Sequence, residues 1–452
     1  MSAIAQTFET LLGADAVCAW DAACFQTALP DSQRPDSQPR SLQSQIAQAI
    51  TPETHPDCIL YPQTAAELAE AIACAHRQRW RVLICGSGSK LHWGGLAAGI
   101  QVVISTARIN RLIEHAAGDM TVTAEAGMRF ADLQALLGKA GQFLTADPAY
   151  AHTATLGGMV AAADTGSLRQ RYGGLRDFLI GISLVRTDGE VAKAGGRVVK
   201  NVAGYDLMKL FTGSYGTLGA ISELTFRLYP LPAASQTVVL TGEPEAIAQA
   251  SATLLASGLT PTGLELLSAG AVKALDRGQG MGLIGRFQGI EISVEKQAAQ
   301  MLEIGQVLQL SGLSYTDADE AALWQRWQEL MEQRSPEAPI FCKIGVLPAQ
   351  AVETLVQLTA LAAGSSPAIA TLHASSGLGT LQCQATAQGI LDLRQVCQAQ
   401  GGFLTLLEAP IALKQKLDVW GYPGNALDVM RRIKHQFDSE NLFSPGRFVG
   451  GL

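Results

Sequence analysis

The sequence predicts an α+β protein in two main parts, and three observations lead there. Short apolar runs alternate with amphipathic, helix-spaced stretches along almost the whole chain. Three glycine-rich stretches fall within residues 51–230 and largely disappear after residue 231. The 452 residues exceed what one ordinary core holds, so two domains are expected. Hydrophobic residues make up 48% and charged residues 16%, which fits a well-buried chain and excludes a disordered one.

Residues 1–50 read as an N-terminal helix and a linker. Ile4, Phe8, Leu11 and Leu12 recur at helical spacing. The run PDSQRPDSQPRSLQSQ, residues 30–45, has almost nothing to bury and reads as a loop. Residues 51–230 form the glycine-rich domain. Thr64 and Glu67 make a capping-box pattern, and Leu68 and Ile72 lie on one face of the helix that follows. RVLIC (81–85), VVIST (102–106) and TVTAEA (121–126) read as strands. Residues 130–140 have helical periodicity and Gly141 is placed to stop them. FLIGISLVRT and LGAISELTFRLYP read as further strands, with Pro230 as the terminator. Residues 231–440 alternate strand-like and helix-like runs, SQTVVLTG then EAIAQASATLLASG, as in an α+β domain with an antiparallel sheet. Residues 441–452 are too few to fold alone and are expected to pack back on the first domain.

A net charge of -7, from 33 basic and 40 acidic residues, gives no general attraction to nucleic acid. No apolar run is long enough for a transmembrane segment, and the N-terminus lacks a basic lead before an apolar core. A cytoplasmic location is the expectation, with contact to the inner membrane arising through partners. The eight cysteines form no CxxC pair and no ligand-like cluster, so no metal is expected and any iron–sulfur cluster belongs on a partner.

The first glycine loop is Gly86-Ser87-Gly88-Ser89-Lys90, directly after a strand. Glycines let main-chain amides approach an anion, serines add donors, and lysine adds charge, which suits a pyrophosphate. A bare turn between strands explains the loop equally well. It fails the dinucleotide fingerprint, because Leu91 stands at the third glycine position, and it fails the P-loop pattern, because Ser89 precedes Lys90. The second stretch, ATLGGMVAAADTGS (154–167), allows close approach at Gly157 and Gly158, although helix–sheet packing through small residues also accounts for it. In the third, GGRVVKNVAGYDLMKLFTGSYGTLGAISE (195–223), Gly213, Gly216 and Gly219 recur every third residue, with Lys200 and Asn201 as polar groups. Three such stretches in one region favour a binding surface.

Together these loops resemble the FAD domain of the p-cresol methylhydroxylase and vanillyl-alcohol oxidase superfamily, over about residues 51–230. The run GGRVVKNVAGYDLMKLFTGSYGTLGAI and the terminal NLFSPGRF are similar to glycolate oxidase E subunits. The resemblance implies a two-lobed FAD-binding domain followed by a smaller α+β domain. It implies that Gly86, Ser87, Gly88, Ser89 and Lys90 hold the FAD pyrophosphate, and that Thr155, Leu156, Gly157 and Gly158 line the flavin and diphosphate path. Gly166 would turn the next loop at the cofactor, and Gly219 and Ile221 would border the flavin. Where many members carry a flavin-linked histidine this chain has Ser89, with His92 off the pattern, so non-covalent FAD is expected.

Sister D subunits carry HxGDGNxH and Glu-His-Gly segments that place a metal and a 2-hydroxy acid. Here the matching positions read His373, Ser376, Leu378 and Thr380, then Glu408-Ala409-Pro410, too few donors for a metal. His152, Arg169, Arg171, Tyr172 and Arg176 could face an acidic substrate or a partner, but solvated surface is the favoured reading, and the catalytic residues stay unassigned. The leading expectation is the FAD-binding subunit of a glycolate oxidase complex, acting on a small 2-hydroxy acid beside a catalytic flavoprotein subunit and an iron–sulfur subunit. A self-sufficient 2-hydroxy-acid dehydrogenase and a non-catalytic FAD-stabilised scaffold are the alternatives.

Overall fold

A computed structural model describes residues 2–20, 41–197, 204–334, 338–362, 364 and 367–452. Lys200 and Asn201 lie outside the described residues, as does most of the run read as a linker.

The first lobe is a four-stranded sheet of β1 (Val17–Ala19), β2 (Cys58–Leu60), β3 (Val82–Cys85) and β4 (Val102–Ser105), in the order β1-β2-β4-β3. β4 runs parallel to both β2 and β3, while β1 is antiparallel to β2. The helix Ala65–Arg77 makes the crossover a parallel pair requires. Its Thr64 cap accepts from Glu67 N at 3.1 Å, but Glu67 reaches back to Gln63 N (2.8 Å), one residue before the position a capping box prescribes. Both sheet faces are covered. Phe8 of the helix Ala3–Leu12 packs with Leu68, Ile72 and Val82 on one side, and Ile46, Ile59 and Leu83 pack on the other. The N-terminal segment is thus part of this lobe: β1 extends the sheet, and the helix Leu42–Ala47 packs on one of its faces through Ile46.

The second lobe contains β5 (Leu112–Ala116), β6 (Thr121–Glu125), β7 (Gln142–Phe143), β8 (Leu179–Val185), β9 (Val191–Gly195), β10 (Ala220–Arg227) and β11 (Tyr229–Pro230). Five of these make an antiparallel sheet ordered β5-β6-β10-β8-β9, and β11 pairs with β7. The helix Phe130–Gly138 ends two residues short of the expected 130–140, with Lys139 as its C-cap, and Gly141 at φ +68° turns the chain after it.

The remaining strands are β12 (Ala234–Gly242), β13 (Gly263–Leu267), β14 (Met281–Gly289), β15 (Ser311–Thr316), β16 (Ile340–Gly345), β17 (Ile369–His373), β18 (Leu378–Cys383) and β19 (Phe403–Glu408). They form one antiparallel sheet ordered β15-β12-β14-β13-β17-β18-β16-β19. Alternation along the strands sends Val238 and Leu240 to one core and Val239 to the other. One face carries the helices Pro244–Ala256, Glu291–Val307, Ala351–Leu361 and Ala387–Ala399. The other meets the helices Ala269–Leu275 and Asp317–Glu332 and, through Phe341 and Leu407, the first domain at Trp93 and Ala162.

The C-terminal segment returns to the first lobe. Leu442 O accepts from Val82 N and Ser444 N donates to Val82 O, each at 2.8 Å, while Phe443 is buried beside Val82 and Ile104. Among the described residues no helix is long and apolar enough to cross a membrane.

Candidate functional site

A cleft opens between the two lobes of the first domain. Of the residues expected from sequence, Gly86, Ser87, Gly88, Ser89, Lys90, Thr155, Gly157, Gly158, Gly219 and Ile221 line it.

The glycine loop leaves β3 at Cys85 and is pinned from behind. Ser105 Oγ donates to Gly86 O (2.8 Å) and Thr106 Oγ1 to Cys85 O (3.3 Å). Ser87 Oγ donates to Thr153 O and ties the lobes together, so its proton is committed to the protein. Among the described residues the backbone N–H groups of Gly86, Ser87, Gly88, Ser89 and Lys90 donate to no protein oxygen. Five adjacent donors left open in this way make a nest for an anion. Side chains are excluded at two points: a Cβ on Gly86 would stand 2.0 Å from Thr155 Oγ1, and Gly88 has φ +85°.

The opposite wall is the helix Leu156–Ala162. Its first amides are already satisfied: Leu156 N by Met128 O (2.9 Å), Gly157 N by Ala126 O (2.7 Å) and Gly158 N by the capping Thr155 Oγ1 (3.3 Å). The loop therefore carries the open donors, while the helix offers a smooth surface of Gly158, Ala161 and Ala162. Gly157 also serves packing, since a Cβ there would meet the Ala126 Cβ at 2.9 Å.

Two expected residues are placed elsewhere. Leu156 is fully buried in the core behind the helix, packed with the other apolar residues of that lobe. Gly166 (φ +79°) packs against Asp147, whose carboxylate accepts from Ser167 N (2.8 Å) and Leu168 N (3.0 Å), so its turn caps that buried acid and does not line the cleft. Burial pushes the Asp147 pKa up to about 8.

Lys90 lines the cleft, and its ammonium lies 3.1 Å from Asp164 Oδ2, with the side chain 5% exposed and Nζ without a hydrogen-bond partner. Cleft residues that sequence reasoning missed include Ser214, Tyr215 and Arg447. Ser214 Oγ and Arg447 Nε are buried without a hydrogen-bond partner. The glycine spacing around Ser214 and Tyr215, and the SPGRF run around Arg447, were the available signals.

Beyond the cleft the two domains are joined by buried polar groups. Glu408 Oε2 lies 3.2 Å from both His92 Nε2 and Arg334 Nε. Lys414 Nζ donates to Gly94 O (3.0 Å), Leu407 O (3.2 Å) and His92 O, and burial pulls its pKa down to about 7. His373 Nδ1 pairs with Glu265 Oε1. Among the described residues no three His, Cys, Asp or Glu side chains converge as metal ligands would. His152, Arg171 and Arg176 are exposed, as expected for solvated surface. Arg169 and Tyr172 are half-buried, Tyr172 packing on Tyr229.

The site fits FAD on its own terms: an amide nest for a diphosphate, a smooth wall for a planar ring, and orphaned buried donors facing the space. Comparison with known proteins agrees. Residues 56–195 match the family model described as an FAD binding domain. Glycolate oxidase subunit GlcD of Bacillus subtilis is 25% identical over 427 residues, covering 87% of this chain and 89% of that one. Glycolate oxidase subunit GlcE of Escherichia coli is 36% identical over 169 residues, covering 37% of this chain and 48% of that one. Mitochondrial D-lactate dehydrogenase [cytochrome] of Arabidopsis thaliana is 25% identical, covering 87% and 73%. Among solved structures, p-cresol methylhydroxylase superposes with a TM-score of 0.77 at 14% identity, over 98% of this chain and 96% of that one. The chain is therefore an FAD-binding protein, with an FAD binding domain at residues 56–195 set in the p-cresol methylhydroxylase fold.

Proposed function

We propose that this chain is the FAD-binding subunit of a glycolate-oxidase-type complex. It holds FAD without a covalent bond and takes part in oxidising a small 2-hydroxy acid, glycolate to glyoxylate, beside a catalytic flavoprotein subunit and an iron–sulfur subunit. FAD, when bound, supplies an acceptor for the hydride leaving the α-carbon. The chain's residues bind and orient it: the amides of residues 86–90 hold the diphosphate, Gly158, Ala161 and Ala162 let the ligand lie close, and Gly219 and Ile221 border its far end.

Dissociable FAD is supported by the nucleophiles in the cleft. Burial pushes the Cys85 thiol up to about 12 and the Tyr215 phenol well above its ordinary range, so both stay protonated and unreactive. His92, the nearest histidine in sequence to the loop, is engaged with Glu408.

One observation carries the subunit reading over independent catalysis. The donors at the positions of the sister subunits' metal motif are committed to protein partners, His373 to Glu265 and Glu408 to His92 and Arg334. So engaged, those residues do not fit a metal. A second reading, a self-sufficient 2-hydroxy-acid dehydrogenase, is favoured by the similarity to GlcD and to D-lactate dehydrogenase along most of the chain.

Anaerobic mixing separates the two. The purified holoprotein is expected to keep its yellow colour with glycolate or D-lactate alone, and to bleach with glycolate once the catalytic and iron–sulfur subunits are added. Bleaching of the lone chain by either acid supports the second reading instead. If the chain neither co-purifies with such subunits nor bleaches in their presence, the proposal fails.

A further inference from the structure

Two cations line the cleft, Lys90 and Arg447, and their circumstances differ. Lys90 has a carboxylate partner in Asp164 at 3.1 Å, and that carboxylate also accepts from Ala149 N (2.9 Å). The loop lysine thus has a counter-charge within the protein, although its Nζ makes no hydrogen bond there.

Arg447 is 2% exposed and, among the described residues, faces no carboxylate within ion-pair distance. Nη1 donates to Gly95 O at 2.7 Å, and Nε has no partner. The ionisable groups that face it are Tyr215 and Cys85, both held neutral by burial, and the Lys414 amine, a like charge, so none of them is a counter-charge. Burial lowers the guanidinium pKa only to about 10, so it keeps its proton at neutral pH. A buried charge without a counter-charge costs several kcal/mol, and a fold tolerates it where a ligand supplies the missing anion.

The main chain around Arg447 is fixed. Its carbonyl accepts from Gly95 N (3.1 Å) and Trp420 Nε1 (3.2 Å), and the preceding segment is hydrogen-bonded to Val82 of β3. β3 ends at Cys85, where the nest of open amides begins. The C-terminal tail therefore brings a planar, fork-shaped donor to the same wall of the cleft as those amides. Guanidinium geometry matches phosphate oxygens better than an ammonium does.

We propose that Arg447, delivered by the C-terminal tail, is the counter-charge of the FAD diphosphate, while Lys90 holds Asp164 in place. This rests on the reading that FAD occupies the cleft. Cofactor binding and docking of the tail are then reciprocally linked: what loosens one weakens the other by the same factor.

The test is calorimetric titration of the full-length apoprotein with FAD and, separately, with ADP, which carries the diphosphate without the flavin. Arg447→Gln is expected to weaken both ligands by about 10- to 100-fold, the loss of a charge-assisted pair, and Arg447→Lys to recover part of it. The paired change Lys90→Met with Asp164→Asn, which removes the ion pair together and keeps the Lys90 amide, is expected to cost less FAD affinity than Arg447→Gln does. Melting of each apoprotein checks the fold, and if Arg447→Gln does not fold, the Lys variant with ADP decides the matter. Wild-type FAD binding unmoved by Arg447→Gln overturns the assignment. So does a loss confined to FAD and absent for ADP, which would place the guanidinium at the flavin, or a larger loss from the Lys90/Asp164 pair. A wild-type chain that binds no FAD contradicts the functional reading itself, a result distinct from all of these.

Discussion

Substituting Gly86 by alanine tests how the two lobes close on the nest. The added Cβ would stand 2.0 Å from Thr155 Oγ1 and 3.0 Å from both Thr155 Cβ and Cγ2, where ordinary contact begins near 3.4 Å. Relief requires the hydroxyl to move by about 1.4 Å. Rotating Thr155 does not provide it, because rotation brings the methyl into the same space. Rotation also removes the cap on Gly158 N, worth about 1 kcal/mol. Overpacking adds about 1–3 kcal/mol. The sum, about 2–4 kcal/mol, appears as lost FAD affinity, lost stability, or both; if all in affinity it is a weakening of about 30- to 700-fold. Calorimetry of the apoprotein with FAD and thermal melting without it separate the two shares. Gly118→Ala, where the Cβ meets open space, is the control and should change neither. Gly86→Ala with wild-type affinity and wild-type melting would refute the described closure of the lobes.

Lys414→Met keeps the volume but leaves three carbonyls from both domains without their donor, so denaturant unfolding should show a loss of about 2–4 kcal/mol; an unchanged midpoint would show that the amine does not join the domains. Asp147 has a folded-state pKa raised from 3.8 to about 8, so the unfolded chain loses its proton first and this group's contribution to stability should fall as pH rises from about 4 to about 8. Asp147→Asn should flatten that slope in melting curves recorded across the window, and an identical slope in the variant would disprove the assignment. Acid precipitation of the holoprotein should leave a colourless pellet and a yellow supernatant, whereas colour retained in the pellet would mean a covalent flavin.

The main strands and helices of the first domain were legible because local signals agree with tertiary demands. RVLIC is apolar on both faces and becomes β3, buried between two cores. Gly141, three residues beyond the helix Phe130–Gly138, turns the chain by a left-handed backbone that glycine adopts freely. β1 escaped notice because three residues carry no periodicity, and its pairing with β2 is set by the tertiary fold. At the site, the glycines of the nest were readable because absent side chains are themselves the signal. What Lys90 does was not, since Asp164 lies far away in sequence and only the fold brings them to 3.1 Å. Arg447 was hidden for the same reason, more than 350 residues beyond the loop it faces. Leu156 and Gly166 share a stretch with cleft-lining residues, yet one packs into the apolar core of the lobe and a contact with Asp147 draws the other aside.

Titration of the refolded, flavin-free full chain with FAD addresses the open amides of residues 86–90 most directly. Saturable heat with one FAD per chain, together with a higher melting temperature at saturation, is the predicted result. No heat and no change in melting would mean that the nest between the lobes does not hold the cofactor.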